Sequence, residues 1–414
     1  MQRISILALR LRSDLQICDR IGIAPLVRAA MQGRDISSIH ETLKARRNEP
    51  GAAMDLAVIE QISGNRALGL QIQDEALAQC QCYRISGAPA HPRMRVLALA
   101  APLDIGGNTP IEFLVSGSDI ELIVLYVLPG RPVEDLIPDH DIAIVTISDD
   151  EQTAECLAQL GSLAGRWPRP FLNLPDRIRQ TDRDRLYLLL QDVKGLHINP
   201  TERVSRAELL ALGSGSSPSD AMPFPLIARP VGSHAGKGLE RLTQARDVEA
   251  YMENQDGAEF FLSPFTDYSN TDGLFRKYRI VFVNGRAFAC HMAISDQWAI
   301  WYLNADMHAS AEKRVEEERF MTHFDTEFGL RHQEALTELA RRLALDYFVM
   351  DCAETQDGKL LVFEAGVSMI VHDMDPVELF PYKLPQMRKL FSAFTDMLDR
   401  HVADGVRQGA PDRV

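Results

Sequence analysis

The chain has no apolar run that approaches the roughly 18 residues a membrane-spanning helix needs, so no membrane partner is expected. Basic residues are in deficit. There are 44 Lys and Arg against 58 Asp and Glu, a net charge of −14. Neutralising nucleic acid phosphates takes an excess of Lys and Arg, so a nucleic acid partner spread over the whole surface is not expected. Cysteine is sparse. Cys18, Cys80, Cys82, Cys156, Cys290 and Cys352 are scattered, which argues for reduced thiols rather than a disulfide framework. Cys80-Gln81-Cys82 is the one close pair, and with only His91 nearby it reads as ordinary thiols rather than a metal site. The stretch MQRISILALRLRSDL is broken by Arg3, Arg10 and Arg12 and lacks a small-residue cleavage pattern, so a cytoplasmic location is the expectation.

What is present is ordinary globular material, with 46% apolar residues over 414 positions, enough for two or three domains. Residues 1–92 read as a helical N-terminal region, with apolar residues at three- and four-residue spacing and a packed helix expected from Arg66 to Arg84. A cap on the neighbouring domain is favoured over a protein-binding role for these helices. From Met94 the pattern changes to buried-strand runs, MRVLALAAP, IELIVLYVLPG and HDIAIVTIS, alternating with helical stretches at Ile111 to Ser116 and Glu151 to Leu163. That alternation predicts a parallel sheet over 93–175. Residues 176–414 form the remaining domain, with a helix over Thr181 to Gln191, a flexible GSGSSPSD loop, two hairpins, a helix at Arg331 to Ala344 and a C-terminal helix from Leu384 to Val402. The fold class is α/β (α+β).

Two features carry chemistry. The first is PLIARPVGSHAGKGLERL, a buried strand followed by a glycine-rich turn holding Gly232, Ser233, His234, Gly236, Lys237 and Gly238. Such a turn presents backbone N–H groups, and Lys237 adds an ammonium, which suits a polyphosphate. A surface role for Lys237 and a loop-capping role for His234 are the competing readings. The second is LDYFVMDCAETQDGKLLVFEAG, a strand, a turn at Asp357-Gly358 and a strand. A two-residue turn places Asp351 directly opposite Glu364. Like charges so placed repel unless a cation or a shared proton intervenes. Mg2+, commonly held by one or two carboxylates plus phosphates, fits that need better than a solvated surface pair, because YFVM and LLVF flank it. Alternation also puts Lys277 and Arg279 on one strand face, able to meet phosphates.

Together with RPVGSHAGKGL, the stretches SPFTDY, DGLFRKYRIV, CHMAIS, WYLN, DCAET and VHDMDP resemble the ATP-grasp superfamily from about Met94 onward. More narrowly, they resemble a bacterial subgroup often joined to tetratricopeptide repeats. The resemblance implies an ATP-grasp fold behind a Rossmann-like domain, ATP and Mg2+ as cofactors, and ligation of a small-molecule or peptide carboxylate to an amine through an acyl phosphate. It implies that Ser233, His234, Gly236, Lys237 and Gly238 cover the phosphates, with Arg229 and Arg185 (or Arg183) at positions where lysines are common. Pro264, Phe265 and Thr266 would border adenine, with Asp267 near the ribose. Asp351 and Glu364 would hold the metal, and Arg279, His291 and Asn304 would face phosphate or the activated carboxylate. A core role is the rival for His291. The usual Asn two residues after the metal Glu is Gly366, for which Ser368 and Asp373 are candidate substitutes. Asp375-Pro376 is expected to open a helix, with His372 and Asp373 as its cap. A nucleotide-binding scaffold and a small-molecule kinase stay open as alternatives, as does a homodimer.

Overall fold

The computed structural model describes residues 9–87, 89–215, 222–233 and 236–409. Most of the expected GSGSSPSD loop, and His234, lie outside the described residues. The first sheet contains β1 (Cys18–Arg20), β2 (Cys82–Ile85), β3 (Met94–Ala100), β4 (Ile120–Tyr126), β5 (Ile142–Val145) and β6 (Phe171–Leu172), in the order β1-β2-β4-β3-β5-β6. β4, β3, β5 and β6 run parallel, and their apolar runs are buried almost throughout, as strands covered on both faces should be. The α/β reading therefore holds.

The N-terminal region is not helical throughout. The helix expected over Arg66 to Arg84 stops at Leu77, and Cys82–Ile85 joins the sheet antiparallel to β4. Tyr83 helps to end that helix, because its hydroxyl donates to the Cys80 carbonyl at 2.7 Å. The preceding helix, Pro50–Ile62, is buried from Gly51 to Glu60, so its Asp55 needs partners. It finds them in the Arg20 guanidinium at 3.1 Å and the N–H groups of Ile21 and Gly22 at 2.6 and 3.0 Å, which fasten β1 to this helix. All six cysteines are thiols.

Beyond residue 190 come β7 (Leu196–Ile198), β8 (Glu202–Ser205), β9 (Leu226–Pro230), β10 (Glu240–Leu242), β11 (Glu259–Pro264), β12 (Phe275–Val283), β13 (Arg286–Ser295), β14 (Tyr347–Glu354) and β15 (Leu360–Gly366). They form a four-stranded sheet, β10-β9-β11-β8, and a five-stranded sheet, β13-β12-β14-β15-β7. The four-stranded sheet has its own small core around Leu209, Tyr251 and Phe260, whereas the first and five-stranded sheets share one core. In the β12–β13 hairpin, Asn284 and Gly285 have φ of 49° and 76°, the left-handed pair that a tight two-residue turn requires.

The β14–β15 hairpin corrects the expected turn. Thr355 and Lys359 pair at its tip, so the loop is three residues, Gln356 to Gly358. Glu354 then opposes Leu360, and the register below would miss the carboxylate pair by one residue. A β-bulge at Phe363 absorbs that residue and restores Asp351 opposite Glu364. The C-terminal helix expected from Leu384 runs from Lys383 to Gly409, but no helix opens at Pro376, where the Leu379 and Phe380 N–H groups donate to the Pro376 carbonyl in a turn. His372 Nδ1 accepts the Met374 N–H at 3.1 Å in a turn, and Asp373 is taken by Arg28 at 2.8 Å. Among the described residues no helix is long and apolar enough to cross a membrane.

Candidate functional site

A cavity of about 670 Å³ lies where the four-stranded sheet, the five-stranded sheet and the Ser148 to Glu151 end of the first sheet converge. Its floor is one rung of the five-stranded sheet. His291 on β13 stands beside Arg279 on β12, Arg279 beside Asp351 on β14, and Asp351 beside Glu364 on β15. Neighbours on one rung point to the same face, so four residues far apart in the chain meet there. A second bulge, at Cys290, lies next to this rung on β13. Both outer strands of the rung are therefore bent where they meet the cavity, a common device beside functional sites.

The like-charge conflict between Asp351 and Glu364 is resolved by basic side chains. Arg279 donates to both oxygens of Asp351, at 2.7 and 3.0 Å, and Lys277 reaches Oδ2 at 2.8 Å. Arg183 is hydrogen-bonded to Glu364, and Arg229 lies 3.9 Å from it. Burial opposes the charge on Asp351, whose side chain is 1% exposed, but Arg279 and Lys277 overcome it and hold the carboxyl well below its usual range. Burial works against Glu364 too, and Arg183 with Arg229 outweighs it. Four cations around two carboxylates leave the floor net positive, which favours an anionic ligand. His291 is pushed well below its usual value, by burial first and then by Arg279 and Lys383, and is neutral at neutral pH.

The glycine-rich loop overhangs this floor. Gly232, Gly236 and Gly238 all have positive φ, and Ser233 and Gly236 line the cavity. Arg229 is largely spent on the loop itself, donating to the Ser233 carbonyl and, at 3.3 Å, to its hydroxyl. Burial, with Arg183 alongside, brings its guanidinium down to about 10. Lys237 is exposed and stands outside the cavity lining. Arg185 lines the cavity and pairs with Asp149 at 2.7 Å. Burial raises Asp149 to about 6 against the pull of Arg185.

Other expected residues are placed differently. The Phe265 N–H donates to the Pro225 carbonyl at 2.9 Å, so it is not available to a base edge. Phe265 and Thr266 do line the cavity, with Trp298 edge-on to Phe265 at 5.7 Å, while Pro264 and the exposed Asp267 do not. Asn304 is outside the lining. Its amide accepts the Trp301 N–H at 3.0 Å and donates to the Ala299 carbonyl at 2.8 Å, which makes it a brace for its own loop. Ser368 lines the cavity beside Gly366, whereas Asp373 is held by Arg28 outside it. Several lining residues were not foreseen, among them Asp149, Asp182, Trp298 and Arg203. Arg203 on β8 reaches Asp182 at 2.9 Å and lies over the Phe261 ring. The signal available for it was the Ser205–Glu208 capping box, which marks where a strand must already have ended.

The residues meet the needs of a metal only in part. Among the described residues no group of three or more His, Cys, Asp or Glu side chains comes together that could hold one. Both Asp351 oxygens are engaged by Arg279 and Lys277, and Gly366 offers no donor. Glu364, 30% exposed and facing the cavity, is the carboxylate suited to a cation that arrives with phosphate oxygens to complete its coordination.

No family model matches the chain, and no curated protein does. Solved structures are similar to it. One is a D-alanine–D-alanine ligase from Bacillus anthracis complexed with ATP, at 12% identity and a TM-score of 0.46, over 77% of this chain and 100% of the other. A second is a D-Ala:D-Ser ligase from Enterococcus faecalis, at 13% identity and a TM-score of 0.44, over 75% and 100%. A third is an ATP-grasp protein with a RimK domain from Sphaerobacter thermophilus, at 17% identity and a TM-score of 0.43, over 75% and 99%.

Proposed function

We propose that the chain is an ATP-grasp ligase that joins a small-molecule or peptide carboxylate to an amine at the expense of ATP. The observation that carries this reading is the rung of His291, Arg279, Asp351 and Glu364, a net positive floor beneath a glycine-rich loop. A cavity of about 670 Å³ is within the usual range for small-ligand sites. In the proposed reaction a substrate carboxylate oxygen attacks the γ-phosphorus and ADP leaves. The amine then adds to the acyl carbon, phosphate leaves, and the amine proton passes to solvent or phosphate. Arg279 and Lys277 neutralise the charge that develops on the transferred group, and Arg229 holds the loop over it. Phe265 and Trp298 give the cavity an aromatic wall for a purine, with the Arg241 guanidinium 3.9 Å from the centre of the Phe265 ring. Magnesium, held through Glu364 and the phosphates, would add charge neutralisation. His291, kept neutral by burial, serves as a hydrogen-bonding group rather than a cation.

The test is release of ADP and phosphate by the full chain with panels of carboxylates and amines. Turnover that requires both partners supports ligation. A second reading, a nucleotide-binding protein without ligation, draws on Gly366 and on the engagement of both Asp351 oxygens. ATP binding without acceptor-dependent turnover would select it. A phosphorylated product that persists, with no amide formed, would instead identify a kinase.

A further inference from the structure

A site that uses two magnesium ions needs each carboxylate to have an oxygen to give. Glu364 meets that condition at the cavity wall, and Asp351 does not. Its side chain is 1% exposed, Arg279 donates to Oδ1 at 2.7 Å and to Oδ2 at 3.0 Å, and Lys277 Nζ lies 2.8 Å from Oδ2. Lys277 is itself fixed, because it also donates to the Ile300 carbonyl at 3.2 Å. Its strand neighbour two positions on is Arg279, so both cations rise from one face of β12 onto the same carboxylate. The residue two after Glu364 is Gly366, which has no side chain to complete a second coordination sphere.

We propose that the Lys277 ammonium stands on Asp351 in place of a metal ion, so that the site works with one divalent cation, held by Glu364 and the nucleotide phosphates. This rests on the ATP reading above. An ammonium supplies fixed positive charge at the phosphates without a dissociable ion, and Arg279 clamps Asp351 in place beneath it. Lys277 is thus a positioning and charge-supplying residue, and Asp351 is its anchor rather than a metal ligand.

The experiment counts Mn2+ bound to the full chain with a non-hydrolysable ATP analogue, from the magnetic resonance signal of unbound Mn2+. The wild type is expected to bind one Mn2+ per nucleotide. Lys277→Met leaves Oδ2 with the Arg279 contact at 3.0 Å alone, which opens its second lone pair, and is expected to bind two, whereas Lys277→Arg is expected to bind one. Asp351→Asn should leave the affinity for the single Mn2+ within about threefold, whereas Glu364→Gln should lower it tenfold or more. Two Mn2+ per nucleotide in the wild type overturns the inference while leaving ATP binding intact. So does a Lys277→Met protein that still binds one, or a tenfold loss of Mn2+ affinity in Asp351→Asn. The wild-type count and the Asp351→Asn affinity decide the matter even if Lys277→Met does not fold. Failure of the wild type to bind the nucleotide analogue overturns the ATP reading and this inference together.

Discussion

A β-carbon on Gly238 would stand 2.7 Å from Pro230 Cδ and 2.7 Å from Gln255 Oε1, on backbone with φ of +66°. Gly238→Ala is therefore expected to cost about 1–3 kcal/mol and to displace the loop from the cavity. Denaturant unfolding measures the first effect and nucleotide-analogue titration the second, and an unchanged affinity would separate the loop from ligand binding. Asp149 gives a pH signature. Its folded value of about 6 lies above its ordinary 3.8, so between those values the fold holds the proton more tightly than the unfolded chain does. Stability contributed at this residue falls as pH rises through that window and is flat above it. Asp149→Asn lacks the titration and should gain on the wild type by up to about 3 kcal/mol between pH 4 and 7. Parallel unfolding curves for the two proteins across that range would contradict it. At this scale the sequence showed which residues carry charge but not how the charges pair. That Lys277 and Arg279 share a face followed from alternation; that both pair with Asp351 depends on a strand about seventy residues away.

Elements show where local pattern stops being informative. The buried runs of β3, β4 and β5 were legible because a strand covered on both faces must be apolar throughout. β2 was not, because helical spacing continues into Cys82 and only pairing with β1 and β4 makes it a strand. The opposition of Asp351 and Glu364 was read from a turn one residue too short, and the bulge at Phe363 offset the difference. Bulges answer to neighbouring strands and leave little local trace. Asn173 is a comparable case. It is fully buried with φ of 54°, accepts the N–H groups of Asp346 and Tyr347 at 2.9 and 3.0 Å, and donates to the Tyr347 carbonyl at 2.9 Å. It thereby ties the end of β6 to the start of β14. Asn173→Ala strands these buried groups and is expected to lower stability by at least about 2 kcal/mol. Chemical denaturation would show it, and a loss below about 0.5 kcal/mol would mean that water replaces the amide.

Across the whole molecule, the first sheet supports the cavity from a distance. Thr109, buried in the turn after β3, donates to the Val367 carbonyl at 2.8 Å, and Arg28 in the helix Ile23–Met31 holds Asp373. Between these anchors runs the segment from Val367 to Ile370 that lines the cavity, and Arg279 donates to the Ile370 carbonyl at 3.1 Å. Thr109→Val removes one anchor while keeping the shape. Amide exchange over residues 367–370 should then quicken by roughly tenfold, with exchange in β12 and β14 unchanged. Uniform protection in both proteins would show that the segment holds itself.

The two bulges have a consequence for how the chain tolerates changes in length. The tip of the β14–β15 hairpin closes on the Thr355–Lys359 pair, and the rungs beneath it are counted from there. Residues inserted between those two leave every rung in place. A single residue deleted from Cys352 to Glu354, or from Ile280 to Val283, shifts the rung, whereas one deleted from Leu360 to Phe363, or from Arg286 to Cys290 on β13, removes the bulge and leaves the rung paired as before. Changes in length in this lobe should therefore collect at hairpin tips, with single deletions also tolerated in the two bulged spans, and be scarce in Ile280–Val283 and Cys352–Glu354.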